Sequence, residues 1–331
     1  MNHPSRRQRL RSIFLLFLLL SMTFAAMNTG GLPVSLSTFL RGEITPQLWQ
    51  IWFSVRLPRV VLAILTGAAL ATAGVLLQGL FRNPLADPGL LGISSGAAVM
   101  VALGIVFIAP HLSGYAAMYL PVFMAFAGAL CITGFIFMLN RQRQPLLRLL
   151  LCGIAINAIG MSFVGMLNYV SDDQQLRQFS LWMTGATGHI SWSLLLPALI
   201  ISIPAFYIAL RLSRSLDLIQ LGEEEAHYAG INIRKTQLRV LLLSAFLAGI
   251  AVALCGVIGF IGLVIPHLMR MIFGYHHHLL LFTSAVGGAL LLLLSDTLAR
   301  TLAMPAEIPV GLLTGLLGAP YFLWLIFSVK E

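Results

Sequence analysis

An arginine inside hydrocarbon needs an anion beside it. Arg300 follows Asp296 by one helical turn in a stretch apolar enough to cross a bilayer. That spacing offers an internal ion pair. Two more cations, Arg56 and Arg59, flank Pro58 where another apolar run begins. A proline at a helix start is comfortable, since its missing N–H would have no partner there.

A second cluster is polar throughout. Arg211 to Arg239 holds nine charged side chains in 29 residues, in a chain that is 9% charged overall. Membrane-length apolar runs flank it on both sides. An ordered, mixed-charge segment kept outside lipid is placed to meet a soluble partner. Within it, Glu223, Glu224 and Glu225 suit the positive end of a short helix dipole, and Gly230 can end that helix in the left-handed conformation. A solvated loop is the competing reading.

A third pattern is a stripe. Gly153, Asn157, Met161, Gly165 and Asn168 recur at helical spacing and put small, amide and thioether groups on one face. Amides in lipid need partners or water, so the stripe predicts a wet cavity, a subunit interface or a helix contact.

Other chemistry is excluded. No GxxxxGK[ST], HExxH or GxSxG run occurs, so no catalytic residue is assigned and nucleotide hydrolysis needs another subunit. Cys131, Cys152 and Cys255 fall inside apolar runs, which leaves neither a disulfide framework nor a CxxC site. His276, His277 and His278 are adjacent, so on a helix they cannot face one point. A solvated turn is predicted there, and no bound metal or cofactor.

The elements that must position these groups follow from composition. With 59% hydrophobic residues in 331, the chain cannot cover a water-soluble globule with polar surface. About ten spans are legible: 12–29, 58–81, 93–109, 116–139, 146–170, 192–210, 237–258, 264–274, 279–304 and 309–328. Backbone satisfaction in lipid then demands an all-α, polytopic bundle, here read as a single domain over 1–331. With the N-terminus inside, all but five of the 20 basic residues (Arg41, Arg56, Arg59, Arg177, Arg300) lie on the inner face. The positive-inside rule therefore puts both termini in the cytoplasm, and the +9 charge is a topology signal with no bearing on nucleic acid. Gly287, Gly288, Gly311, Gly315, Gly256, Gly259 and Gly262 are placed for helix contact.

The run Arg56-Leu-Pro-Arg59, Gln78 and Arg82-Asn-Pro-Leu-Ala-Asp-Pro-Gly-Leu-Leu-Gly92 resembles the permease subunits of type II ABC importers, which take up iron chelates, haem and vitamin B12. The likeness continues through Leu221-Gly222, Gly259 to His267, Asp296 to Arg300 and Glu307 to Pro320, over essentially the full length. It implies a ten-helix subunit of the bacterial inner membrane, working as a homodimer by alternating access. Its partners would be two ATP-binding subunits, which carry ATP and Mg, and a periplasmic binding protein.

The resemblance also assigns residues. Glu225-Ala226 and Gly230 are similar to the motif that such permeases present to the ATPase, so Glu223, Glu224, Glu225, Ala226 and Gly230 become the coupling segment. Arg56, Arg59 and Arg300 would clasp carboxylates of the binding protein, against the internal pairing noted above. Leu146 and Leu147 occupy the cytoplasmic gate, where some members carry hydroxyl residues, so a greasy constriction is implied. The 153–168 stripe would line the pathway. Arg177, in an outer loop at 171–192, could meet an anionic chelate. Haem is the first cargo expected, then a ferric siderophore, then cobalamin. The distant alternative is an ion-coupled secondary transporter, which would need a free intramembrane carboxylate, and Asp296 is the clear candidate.

Overall fold

The computed structural model describes residues 5–29, 42, 45–141, 146–188, 190–303 and 306–328, without the side chains of 140, 141, 146, 147, 325, 326 and 328. Every regular element among them is helical. The long helices are α1 (Arg6–Asn28), α2 (Pro46–Phe81), α3 (Ile93–His111), α4 (Tyr115–Arg141) and α5 (Leu146–Val170). A short α6 (Asp173–Met183) precedes α7 (Trp192–Leu221), and α8 (Glu223–Tyr228) precedes α9 (Ile233–Cys255). The last three are α10 (Ile261–Phe273), α11 (His277–Leu302) and α12 (Val310–Ser328). Eight helices are long and apolar enough to cross a membrane, and two shorter apolar ones, Ile261–Phe273 and Val310–Trp324, bring the total among the described residues to ten.

Two boundaries differ from the sequence expectation. The span expected to begin at Pro58 starts at Pro46, because Trp52–Arg56 forms a π-helical turn just before the proline. The wider turn accommodates a residue with no N–H to donate and a ring that would crowd the preceding carbonyl. The outer segment expected as a loop contains α6. Asp172 accepts from the Gln175 N–H at 2.8 Å while Gln175 returns a bond to the Asp172 N–H, a reciprocal cap that fixes the helix start.

The hydrophobic interior centres on α2, whose apolar window is 83% buried, against 17% for α5. Glycine sets how close its neighbours come. A Cβ on Gly67 would fall onto the Gly288 carbonyl of α11, and one on Gly288 onto the Gly67 carbonyl. Gly74 meets the backbone of Gly262 on α10 in the same way. Such contacts supply dispersion that lipid cannot outcompete. Gly311 packs against the Thr184 carbonyl, but Gly315 has open space where its Cβ would be, so this chain uses only half of that expected pair.

Candidate functional site

At the end of the bundle where α2 begins, side chains from four segments form one cluster around a buried carboxylate. Asp296 of α11 is fully buried. Its two oxygens accept from Arg59 Nε at 2.9 and 3.2 Å, and the Thr187 hydroxyl donates to the first of them. Arg59 Nη1 turns the other way and donates to both oxygens of Glu307, at 2.9 and 3.0 Å. One planar guanidinium thus joins a buried acid to a half-exposed one, a geometry lysine could not reproduce.

The pair expected between Asp296 and Arg300 is therefore secondary. Arg300 Nε stands 3.8 Å from Asp296, while its Nη2 donates to the Ala26 carbonyl and, at 3.5 Å, to Thr297 Oγ1. Arg56 Nη1 donates to the Met27 carbonyl at 2.9 Å. Ala26 and Met27 lie in the last turn of α1, where carbonyls lack helical partners and the dipole favours cations. Two of the three arginines therefore hold the end of α1. All three are buried, at 5%, 7% and 7% exposure for Arg56, Arg59 and Arg300, so none stands out as a free surface cation. Asp296, the carboxylate an ion-coupled carrier would need, is already engaged.

The opposite end carries the polar segment. α7 stops at Gly222, and the six-residue α8 follows with Glu223, Glu224 and Glu225 exposed in its first turn. Ala226 is fully buried, which seats α8 on its neighbours α7 and α9. Gly230 adopts φ +82°, and the Ile231 N–H reaches back to the Ala226 carbonyl at 2.9 Å. That is the left-handed helix end expected from the sequence. Tyr228 projects at 86% exposure from the same short helix, an exposed aromatic side chain the sequence reading passed over.

The five-residue stripe on α5 splits. Gly153 is buried with the Leu90 and Leu91 backbone across it, and Asn157 Nδ2 donates to the Gly89 carbonyl at 2.9 Å. Those two are occupied by an internal helix-to-turn contact. Met161 and Gly165 are exposed and Asn168 is half-buried, so the far half of the stripe faces out of the subunit. Arg177 is exposed on α6. The side chains of Leu146 and Leu147 lie outside the described residues.

The histidine run is the clearest correction. His277 is fully buried at the start of α11, not solvated in a turn. Its Nδ1 lies 2.7 Å from Asp217 Oδ1, which also accepts the His277 backbone N–H at 2.9 Å. Sequence gave no signal for this, because Asp217 is 60 residues away. Among the described residues no His, Cys, Asp and Glu group is arranged to hold a metal ion.

The turn between α2 and α3 holds one perturbed acid. Asp87 Oδ1 accepts the Gly89 N–H at 2.7 Å, capping the 3-10 turn Pro88–Leu91. Its other oxygen faces Gly262, and although the residue keeps some exposure, enclosure of the carboxylate pushes its pKa up to about 6. A folded-state pKa above the unfolded value means the folded protein binds more protons between about pH 4 and 6. Stability from this group is thus lost as pH rises through that window. Asp87→Asn keeps the cap and removes the charge, so its unfolding midpoint in detergent is expected to exceed that of the unmodified chain at pH 7.5. The gap should narrow to about half by pH 5 and close below about pH 4.

Residues 13–328 match the model of the FecCD transport family. This chain belongs to that family. Among relatives, the hemin transport system permease protein HmuU of Yersinia pestis is 54% identical over 325 residues, 98% of this chain and 97% of its own. The Fe(3+) dicitrate transport system permease protein FecD of Escherichia coli is 38% identical, over 96% of this chain and 98% of its own. A solved metal-chelate type ABC transporter in an inward-facing conformation superposes with a TM-score of 0.84 at 34% identity, covering 96% of this chain and 99% of that one. Membership fixes the class: a multi-pass inner-membrane permease of the type II importer kind, with the all-helical fold expected from sequence.

Proposed function

We propose that this FecCD-family chain forms the membrane path of an ATP-driven importer carrying an iron-containing chelate, haem first, from periplasm to cytoplasm. The observation that carries the cargo is the near-full-length 54% identity to a hemin permease, well above the 38% and 37% seen against ferric dicitrate and vitamin B12 permeases. A ferric siderophore or cobalamin is the next cargo. Alternating access in a homodimer is supported by the thinly covered α5, whose exposed Met161 and Gly165, with Asn168, are placed to line a path between two copies. Leu146 and Leu147 would narrow that path inside, and Arg177 would meet an anionic cargo outside.

ATP and Mg belong to two separate subunits docked on Glu223, Glu224, Glu225, Ala226 and Gly230. Both termini are assigned to the cytoplasm by the distribution of basic residues. At the outer end, a loaded binding protein would dock through Arg56, Arg59 and Arg300. Burial changes how: its carboxylate would take over the half of Arg59 now held by Glu307, which is 52% exposed, while Asp296 stays in place.

Liposomes holding this chain, its ATPase and its binding protein test the reading with hemin outside. Accumulation should need ATP and all three components, and Arg59→Glu should lower uptake about tenfold or more, through loss of the docking contact together with loss of the internal pair to Asp296. Uphill accumulation by the chain alone, or driven by a proton gradient, would overturn it. A binding protein that prefers ferric citrate or cobalamin to hemin would move the cargo but leave the machinery.

A further inference from the structure

α7, which leads to the coupling segment, carries Pro197 and Pro204 inside its length, each removing a helical hydrogen bond, and 28% of its apolar window is buried. A stiffer route exists. Among the described residues, α2 and α11 make the most extensive helix contact. Gly67 and Gly288 press their backbones together near the outer half of that contact, and at the inner end a Cβ on Gly79 would meet His277 Nε2 at 2.5 Å. The imidazole of His277 thus lies across the α2 backbone with no room to turn. Its Nε2 is buried without a hydrogen-bond partner, while Nδ1 is directed at Asp217 Oδ1, 2.7 Å away.

The same α11 carries Asp296 about 28 Å further along, at 1.5 Å per residue. There Arg59 of α2 grips it. The two helices are therefore fastened to each other at an inner, a middle and an outer point. They form one rod from the outer arginines to the inner face.

We infer that Asp217 and His277 form the joint through which the coupling helix engages the α2–α11 rod. Asp217 sits one turn before the end of α7, and only Gly222 separates α7 from α8. One carboxylate oxygen accepts both the ring N–H and the backbone N–H of His277, so the joint fixes position as well as distance. Displacement of α8 by an attached ATPase pulls on the last turn of α7, and the shared oxygen passes that displacement to the first turn of α11. Without the joint, α7 bends and the rod stays still. Asp217 and His277 are positioning residues: they touch neither cargo nor nucleotide.

This rests on α8 being the ATPase docking element. The test uses the whole complex in liposomes, with hemin and its binding protein as probe, and reads three quantities: ATPase subunit retained, ATP hydrolysed and hemin moved per ATP. Asp217→Ala removes the accepting oxygens from a side chain one-third exposed, so little packing is lost. The complex should assemble and hydrolyse ATP, while hemin moved per ATP falls about tenfold and stimulation of hydrolysis by the binding protein disappears. Asp217→Asn keeps an accepting oxygen and should recover most of the ratio. An unchanged ratio in Asp217→Ala overturns the inference, and so does a lower yield of complex whose assembled fraction transports normally. Should Asp217→Ala fail to assemble, His277→Gln, whose amide can still donate, is read against His277→Leu, which cannot; equal ratios in the two would overturn it. Ala226→Arg separates the underlying reading: retention of the ATPase on that variant refutes α8 as the docking element, whatever Asp217 does.

Discussion

Asp296→Ala is expected to lower the stability of the folded chain by about 3–5 kcal/mol, the usual cost of stranding one partner of a buried ion pair. Arg59 would remain at 7% exposure with only Glu307 to face, and Arg300 Nε, already without a hydrogen bond, would lose its nearest anion. The Thr187 hydroxyl loses its acceptor as well. The measurement is the unfolding midpoint in detergent together with the monodisperse yield. Asp296→Asn should fall between the two, because an amide oxygen still accepts from Arg59 Nε. The double variant Arg59→Met with Asp296→Leu removes both charges at similar volume and should recover most of the stability. It should not recover uptake if Arg59 meets the binding protein. Recovery of both would reduce Arg59 to a purely internal role. Loss of neither in the single variant would mean the buried pair contributes nothing.

Ala226→Arg should abolish transport while leaving the membrane bundle folded. Ala226 has no exposed surface, and its carbonyl receives the Ile231 N–H that closes the end of α8. An arginine there must either force α8 off α7 and α9 or bury an unpaired charge. Either outcome displaces Glu223, Glu224, Glu225 and Tyr228 together. A penalty of about 3 kcal/mol leaves the seated form roughly a hundredfold rarer, at 1.4 kcal/mol per factor of ten. ATPase subunit recovered on pull-down and hemin uptake should both drop by about that factor, with the unfolding midpoint of the isolated permease little changed, because α8 lies outside the apolar interior. Normal pull-down would refute α8 as the docking element, whether or not uptake is lost.

Much of the fold could be read before any coordinates. Spanning helices announce themselves by composition, since hydrocarbon tolerates few polar residues over the ~20 positions needed to cross it. Ends marked by chemistry were legible too, Gly230 above all. The expected α8 came out as Glu223–Tyr228 because the sequence held both a first-turn acid cluster and a residue able to take positive φ. The π-helical turn before Pro58 and the capped α6 were missed for a local reason: each depends on a cap or bulge of a few residues, beneath a hydropathy window.

The charge clusters show the other limit. Arg300 and Asp296 stand four apart in sequence, so the i,i+4 rule paired them, yet the principal partner of Asp296 is Arg59, 237 residues away. Helical spacing says which groups share a face. It does not say which neighbouring helix supplies a better donor to that face. His277 failed in the same way. Its two neighbours are exposed, and only the approach of α2 at Gly79 and α7 at Asp217 makes the middle histidine a buried, fixed group.

Sequence alone determined that this chain is all-helical, spans a membrane about ten times, and carries one charged segment between two spans. Those properties follow from how many polar groups each stretch carries, a quantity additive along the chain. Which arginine holds which acid, and which histidine joins that segment to the bundle, were decided only in three dimensions. Ion pairs and steric seats arise between helices far apart in sequence, and their energies depend on distances that no local pattern encodes.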